Sequence, residues 1–317
     1  MSPAERPSGL PARVGIVEVG PRDGFQAEER FLPTELKIEV LRQLAASGLG
    51  RIEVTSFVHP KVIPQMADAP QVMAAARQIP DLRRLALVPN LEGARRALEA
   101  GAQELRLVVC VTETYNHRNV GLSVAESLAL FGELVALCRQ GGVTASAVLA
   151  VAFGCPFEGE VPEDRVVDLA RRFVDAGSAE LGLADSAGLA NPVQVRRVVG
   201  RVREGVGDLP LWLHLHDTRG LGLANAFAGL EAGVSTFDTS LAGLGGCPVM
   251  KGATGNIATE DLVYALSEMG VETGVSLDGV RRASRRLEEF LGRRLPSRVL
   301  QAGTREELVA RNRERGG

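Results

Sequence analysis

Leu213-His214-Leu215-His216-Asp217-Thr218-Arg219-Gly220 is the stretch from which the fold of this 317-residue chain can be read. It has the alternation of a strand, whose successive side chains project to opposite faces. His214 and His216 therefore point the same way, about 7 Å apart along the strand. Asp217-Thr218-Arg219-Gly220 then turns, which puts both imidazoles at the C-terminal end. Two imidazoles aimed at one spot suit a divalent cation, and two core histidines held by backbone carbonyls would account for the same spacing. The choice depends on what else falls at that end.

Working outward, seven other short apolar runs have the length of strands: Arg13–Val19, Arg51–Ser56, Arg84–Val88, Glu104–Val111, Ala145–Val151, Ala179–Leu183 and Thr236–Thr239. With Leu211–His216 they make eight. Helical patterns follow each in turn, at Thr34–Ser47 and Asp68–Gln78, Leu91–Ala100, Val124–Gln140, Glu163–Ala176, Pro192–Glu204, Leu223–Ala232 and Thr259–Met269. Four of them stop at Ser47-Gly48, Ala100-Gly101, Ala176-Gly177 and Ala232-Gly233, where glycine supplies the left-handed residue that ends a helix. Eight strand-then-helix units predict an α/β fold, a (β/α)8 TIM barrel. An open doubly wound sheet is the other arrangement of such units, but no glycine-rich dinucleotide fingerprint follows the first strand. Two more helices, Leu277–Leu291 and Thr304–Arg313, predict a C-terminal helical extension. The expected division is a tail at 1–12, the barrel at 13–275 and the extension at 276–317.

Composition narrows the function. Lys and Arg number 36 against 39 Asp and Glu, a formal charge of −3, and aromatic residues are 4%. Neither a basic surface nor a stacking platform for bases is implied, so no nucleic-acid partner is expected. No apolar run is long enough to span a bilayer, and the polar start at Met1–Pro7 has no signal or transit character. A soluble cytoplasmic protein without a membrane partner is the expectation. The four cysteines, Cys110, Cys138, Cys155 and Cys247, form no CxxC pair and read as free thiols.

Barrels carry their chemistry at the C-terminal ends of the strands. Arg22 and Asp23 follow the first strand, and Glu53 lies within the otherwise apolar second. Asp185 follows the sixth, and Gly243-Leu244-Gly245-Gly246-Cys247-Pro248 and Gly252-Ala253-Thr254-Gly255-Asn256 follow the eighth. Closure makes the eighth strand the neighbour of the seventh and the first. Asp23, His214, His216 and Asn256 can then converge on one ion. One carboxylate, two imidazoles and one amide oxygen, completed by water or substrate oxygens, suit Mg²⁺ or Mn²⁺ better than a closed zinc site. Each residue also has a plainer use. Glu53 can serve as an ion-pair partner of Arg22, Asp185 can cap the following turn, and Asn256 can belong to a helix entry. Cys247 sits in a glycine-rich loop of the kind that acts as a lid, where a thiol can move a proton, or it is an ordinary loop cysteine.

The runs Val17-Glu18-Val19-Gly20-Pro21-Arg22-Asp23-Gly24, Ile52-Glu53-Val54-Thr55-Ser56-Phe57-Val58-His59-Pro60-Lys61, Leu244-Gly245-Gly246-Cys247-Pro248 and Gly255-Asn256-Ile257-Ala258-Thr259-Glu260-Asp261-Leu262 resemble the 3-hydroxy-3-methylglutaryl-CoA lyases, over about Val14 to Gly270. The resemblance implies a metal-dependent lyase that splits this acyl-CoA into acetyl-CoA and acetoacetate by retro-Claisen type cleavage. A related lyase or aldolase acting on another 3-hydroxyacyl-CoA is the alternative. It also implies Asp23 or His214 as the hydroxyl base, Arg22 at the thioester oxygen, Cys247 as the proton donor to carbon, and Glu53 and Asp185 as orienting groups. Arg293 and Arg294 stand where the family carries a basic pair for the coenzyme A phosphates, or form a solvated face. Gln26 is followed by Ala27-Glu28-Glu29, without the lysine found there in relatives. A homodimer is the family expectation.

Overall fold

The computed structural model describes residues 8–246 and 255–315. In it, eight parallel strands close into a barrel in chain order. They are β1 Gly15–Glu18, β2 Arg51–Ser56, β3 Arg83–Leu87, β4 Glu104–Cys110, β5 Thr144–Ala150, β6 Leu181–Asp185, β7 Leu211–Leu215 and β8 Thr236–Thr239. The barrel closes where β1 runs beside β8, in the register Gly15↔Thr236 to Glu18↔Thr239. The helices are α1 Thr34–Ala46, α2 Ala69–Ala76, α3 Leu91–Ala100, α4 Glu113–Val120, α5 Val124–Gln140, α6 Glu163–Asp175, α7 Pro192–Val206, α8 Gly222–Glu231, α9 Thr259–Glu268, α10 Leu277–Leu291, α11 Arg298–Ala302 and α12 Arg305–Arg315.

The helix ends follow from local chemistry. The Asn90 side chain caps α3 by accepting from the Gly93 N–H, and Ser123 and Glu126 form a reciprocal capping box on α5. Gly48, Gly101, Gly177 and Gly233 have φ of +95°, +98°, +95° and +86°, the conformation expected of them at the helix stops. β2 and β8 have the expected bounds, and ends of the other strands differ by one or two residues, most at β6.

Two helices have no counterpart in the sequence reading. The Glu113–Val120 segment carries no apolar stripe. It is held by Asn116, whose Oδ1 accepts from the Cys110 N–H and whose Nδ2 donates to Leu122 O and Ser127 Oγ. The five-residue α11 is capped by Ser297, itself bonded to Asp261. α10 buries Val280, Ala283 and Leu287 and packs along α1 and α9.

Branched aliphatic layers usually fill such a barrel. Here the lower interior is charged. Glu104 is buried on β4 and accepts from Arg51 and Arg83 and from the Ser146 hydroxyl, and Arg51 also reaches Glu180. Removing one partner of such a cluster leaves uncompensated charge, so Glu104→Ala should lower the unfolding free energy by about 3–5 kcal/mol. Urea denaturation checks this; a loss below about 1 kcal/mol would show that water replaces the carboxylate.

Candidate metal centre

The first local feature at the barrel mouth is a turn. Just past β1, Gly20–Gly24 winds as a single wide helical turn that carries Arg22 and Asp23 over the opening. A Cβ on Gly20 would stand 2.1 Å from Leu241 and 2.7 Å from Glu18, so only glycine lets the turn lie this close to the segment after β8. Glu18 ties the two segments together: it accepts from the N–H groups of Gly20 and Leu241 and from the Thr259 hydroxyl. Burial pushes its carboxyl up to about 8 against those donors.

Asn256 is not part of a helix entry. It sits in a short extended segment wedged between the ends of β7 and β8. This segment bridges to His216, and its backbone bonds with Leu215, Asp217 and Ser240. α9 begins only at Thr259. The Asn256 Nδ2 donates to Asp23 Oδ2 at 2.7 Å and to Leu244 O at 3.0 Å. Both neighbours are acceptors, which fixes the amide orientation. Its Oδ1 is buried without a hydrogen-bond partner.

Asp23, His214 and His216 meet beside it, with candidate ligand atoms within 4.8 Å of one another. His214 Nε2 lies 3.2 Å from His216 Nε2 and 4.0 Å from Asp23 Oδ2. In an octahedron with bonds of roughly 2.0–2.1 Å, adjacent corners stand about 3 Å apart and opposite corners about 4 Å. These residues fit a divalent cation: facing nitrogen atoms, a carboxylate oxygen and an orphaned amide oxygen would each gain a partner. Asp23 Oδ2, the two Nε2 atoms and Asn256 Oδ1 would hold it.

The electrostatics suit the same purpose. Burial raises the Asp23 carboxyl, but Arg22, the two histidines and the Asn256 amide outweigh it and hold the group well below the usual carboxylate range. Burial, then the neighbouring His214, pushes His216 down to about 4, so that imidazole is neutral at physiological pH. Arg22 lies between two acids, with Nη1 2.5 Å from Asp23 and Nε 2.6 Å from Glu53. Burial works against its charge, and the two carboxylates raise its pKa despite that. Glu53 is thus the ion-pair partner of Arg22, and it keeps one buried oxygen without a hydrogen-bond partner.

Other candidates lie elsewhere or have other partners. Asp185 accepts from the N–H groups of Leu189 and Ala190, so it caps its own loop, and burial pushes its carboxyl up to about 6. Arg293 is exposed and pairs with Glu28 after the first strand, on the mouth side; Arg294 beside it is exposed. Cys110, Cys138 and Cys155 are buried. Cys247 lies outside the described residues.

The glycines that flank Cys247 have a steric purpose that sequence reading did not find. Gly245 has φ +98°, and its Cβ would stand 2.5 Å from Asn256 Nδ2; a Cβ on Gly255 would stand 2.1 Å from Gly243 O. They let backbone pack against Asn256.

Reading the sequence also passed over Asp238, whose Oδ2 lies 3.2 Å from His214 Nδ1. The available signal was an acid at the inward-facing position of β8 directly opposite His214 in register.

The His216 shift gives a test. Its folded pKa of about 4 lies below the ordinary 6.5, so the unfolded chain takes up the proton first. The stability it contributes is complete above pH 6.5 and is lost as the pH falls toward 4. With metal chelated, wild type should lose up to about 3 kcal/mol relative to His216→Asn across that window. Urea denaturation at several pH values measures it, and a pH-independent difference would contradict a buried neutral imidazole.

Solved structures carry the same fold. A family model described as HMGL-like matches residues 13–287. The hydroxymethylglutaryl-CoA lyase YngG of Bacillus subtilis is 42% identical, over 92% of this chain and 97% of its own length. The human 3-hydroxy-3-methylglutaryl-CoA lyase, cytoplasmic, is 40% identical over 93% of this chain and 80% of its own. Among solved structures, an HMG-CoA lyase from Acinetobacter baumannii in complex with coenzyme A and 3-methylmalate superposes with a TM-score of 0.89 at 42% identity. It covers 95% of this chain and 98% of that one. The carboxyl transferase domain of Rhizobium etli pyruvate carboxylase shares the fold alone, at 20% identity and a TM-score of 0.72. With the family model spanning the whole barrel and relatives near 40% identity along nearly all of the sequence, this chain belongs to the HMGL-like family.

Proposed function

We propose that this protein is a divalent-metal-dependent lyase that cleaves 3-hydroxy-3-methylglutaryl-CoA into acetyl-CoA and acetoacetate. The observation that carries the reading is the meeting of Asp23, His214 and His216, with Asn256 bonded to Asp23 and its Oδ1 left without a hydrogen-bond partner, and an arginine alongside. The relatives named for this reaction supply the substrate class.

A cation held there, Mg²⁺ or Mn²⁺ by its oxygen and imidazole donors, would supply Lewis acidity and a fixed point for substrate oxygens. The rest falls to the side chains of the chain. Asp23 takes the proton from the tertiary hydroxyl; His214, the other candidate base, would have no lone pair to spare with Nε2 toward the cation and a hydrogen on Nδ1. The C2–C3 bond then breaks: C3 becomes the ketone of acetoacetate, and the bonding pair passes to C2 as the enolate of acetyl-CoA. Arg22, held by Glu53 and Asp23, donates to the thioester oxygen on which that charge develops. A preorganised donor at such a point counts most in a dry site. Cys247 delivers a proton to C2. Arg293 and Arg294, on the exposed stretch after α10, meet the coenzyme A phosphates, with Arg293 exchanging Glu28 for them.

Acetyl-CoA release should require added Mg²⁺ or Mn²⁺ and stop with excess chelator; activity that survives full chelation would overturn the metal-dependent reading. Arg22→Met should lower kcat by about 10²–10³-fold. Cys247→Ser should lower turnover by orders of magnitude with metal content unchanged, and an undiminished rate removes the thiol from the reaction. Parallel assays with other 3-hydroxyacyl thioesters separate this substrate from the related 3-hydroxyacyl-CoA that is the alternative.

A further inference from the structure

Directly beneath the candidate centre, the barrel interior holds a second set of polar groups. Arg106 on β4 is 1% exposed and reaches across to β8, on the opposite wall, where its Nη1 donates to both Asp238 oxygens at 3.0 and 2.9 Å. Trp212 Nε1 donates to Asp238 Oδ2 at 3.1 Å. The same oxygen lies 3.2 Å from His214 Nδ1. The guanidinium also lies 4.5 Å from the Trp212 ring centroid, a cation–π contact. Gly182, paired with Trp212 in register, makes room for the indole: a Cβ there would stand 2.4–2.7 Å from it.

Stability does not explain this set. Replacing a buried ion pair by aliphatic side chains of similar volume is often neutral, or stabilises by about 1–4 kcal/mol. What the set does supply is orientation. A carboxylate can only accept, so Asp238 requires the proton of His214 to sit on Nδ1. That leaves the Nε2 lone pair free on the side facing His216 Nε2 and Asp23. Asp238 can do this only if it stays in place as an anion in a buried setting, and Arg106 and Trp212 supply the donors that keep it there.

We propose that Asp238, Arg106 and Trp212 are positioning residues that lock His214 in its Nδ1–H tautomer and aim Nε2 at the cation. The inference rests on the metal centre proposed above, and the test separates the two.

Long-range ¹H–¹⁵N correlation of the imidazole rings, in folded protein with metal chelated, reads the tautomer directly; the chain has only four histidines. Mn²⁺ binding by calorimetry reads the consequence. Wild type should show His214 as Nδ1–H and bind Mn²⁺. Asp238→Asn should shift the ring toward Nε2–H and weaken Mn²⁺ binding by about 10–100-fold. Trp212→Phe, which keeps a ring over Arg106 and removes one donor, should weaken binding by about threefold or more. It decides the matter by affinity if Asp238→Asn does not fold. Wild-type Mn²⁺ affinity in the folded variants, or an unchanged His214 tautomer in Asp238→Asn, overturns the proposal. Failure of the wild type itself to bind Mn²⁺ overturns the metal centre instead, while the tautomer measurement still tests the link from Asp238 to His214.

Discussion

The parallel ladder between β1 and β8 is the interaction on which the rest of the structure depends. It joins the first strand to the last across more than two hundred residues and sets the Arg22–Asp23 turn beside the segment that carries Asn256. β7 lies on the other side of β8 and brings the two histidines. Glu18 extends the closure past the last ladder bond by bonding to both sides of the seam. Without that ladder, the acid, the imidazoles and the amide would lie on separate elements with no reason to meet.

Once gathered, these groups restrain one another. Asp23 is pulled toward its anion by an arginine and two imidazoles, and His216 is kept neutral by burial and its neighbour. Both are therefore in the protonation state that a divalent cation requires. Arg22 serves the same anion while Glu53 fixes its other side. The arrangement pays for burying charge by pairing every acid with a cation or a set of N–H donors. It follows that loss of one member is felt by several others.

Small residues matter here as much as charged ones. Gly20, Gly245 and Gly255 stand where a Cβ would displace Leu241, the Asn256 amide or a carbonyl. In the sequence, the glycines after β8 look like a device for loop movement. In the fold, Gly245 and Gly255 are sites of close approach, packing backbone against and beside Asn256.

Sequence alone determined the eight-unit barrel, because strand length, helical periodicity and the glycines at the helix stops are local properties written in short windows. It also placed Asp23, His214, His216 and Asn256 at one rim, since a closed barrel gathers strand ends there whatever the details. It did not reveal α4, whose order comes from Asn116 side-chain bonds rather than from an apolar stripe. Nor could it say whether Asp185 caps its turn or Asn256 belongs to a helix entry, because a capping residue and a site residue look alike until the neighbouring backbone is known. What Asp238, Arg106 and Trp212 do became clear only in three dimensions. Their partners lie on strands far apart in the chain, and an inward-facing acid, arginine and indole acquire meaning only when packing shows which atoms they satisfy.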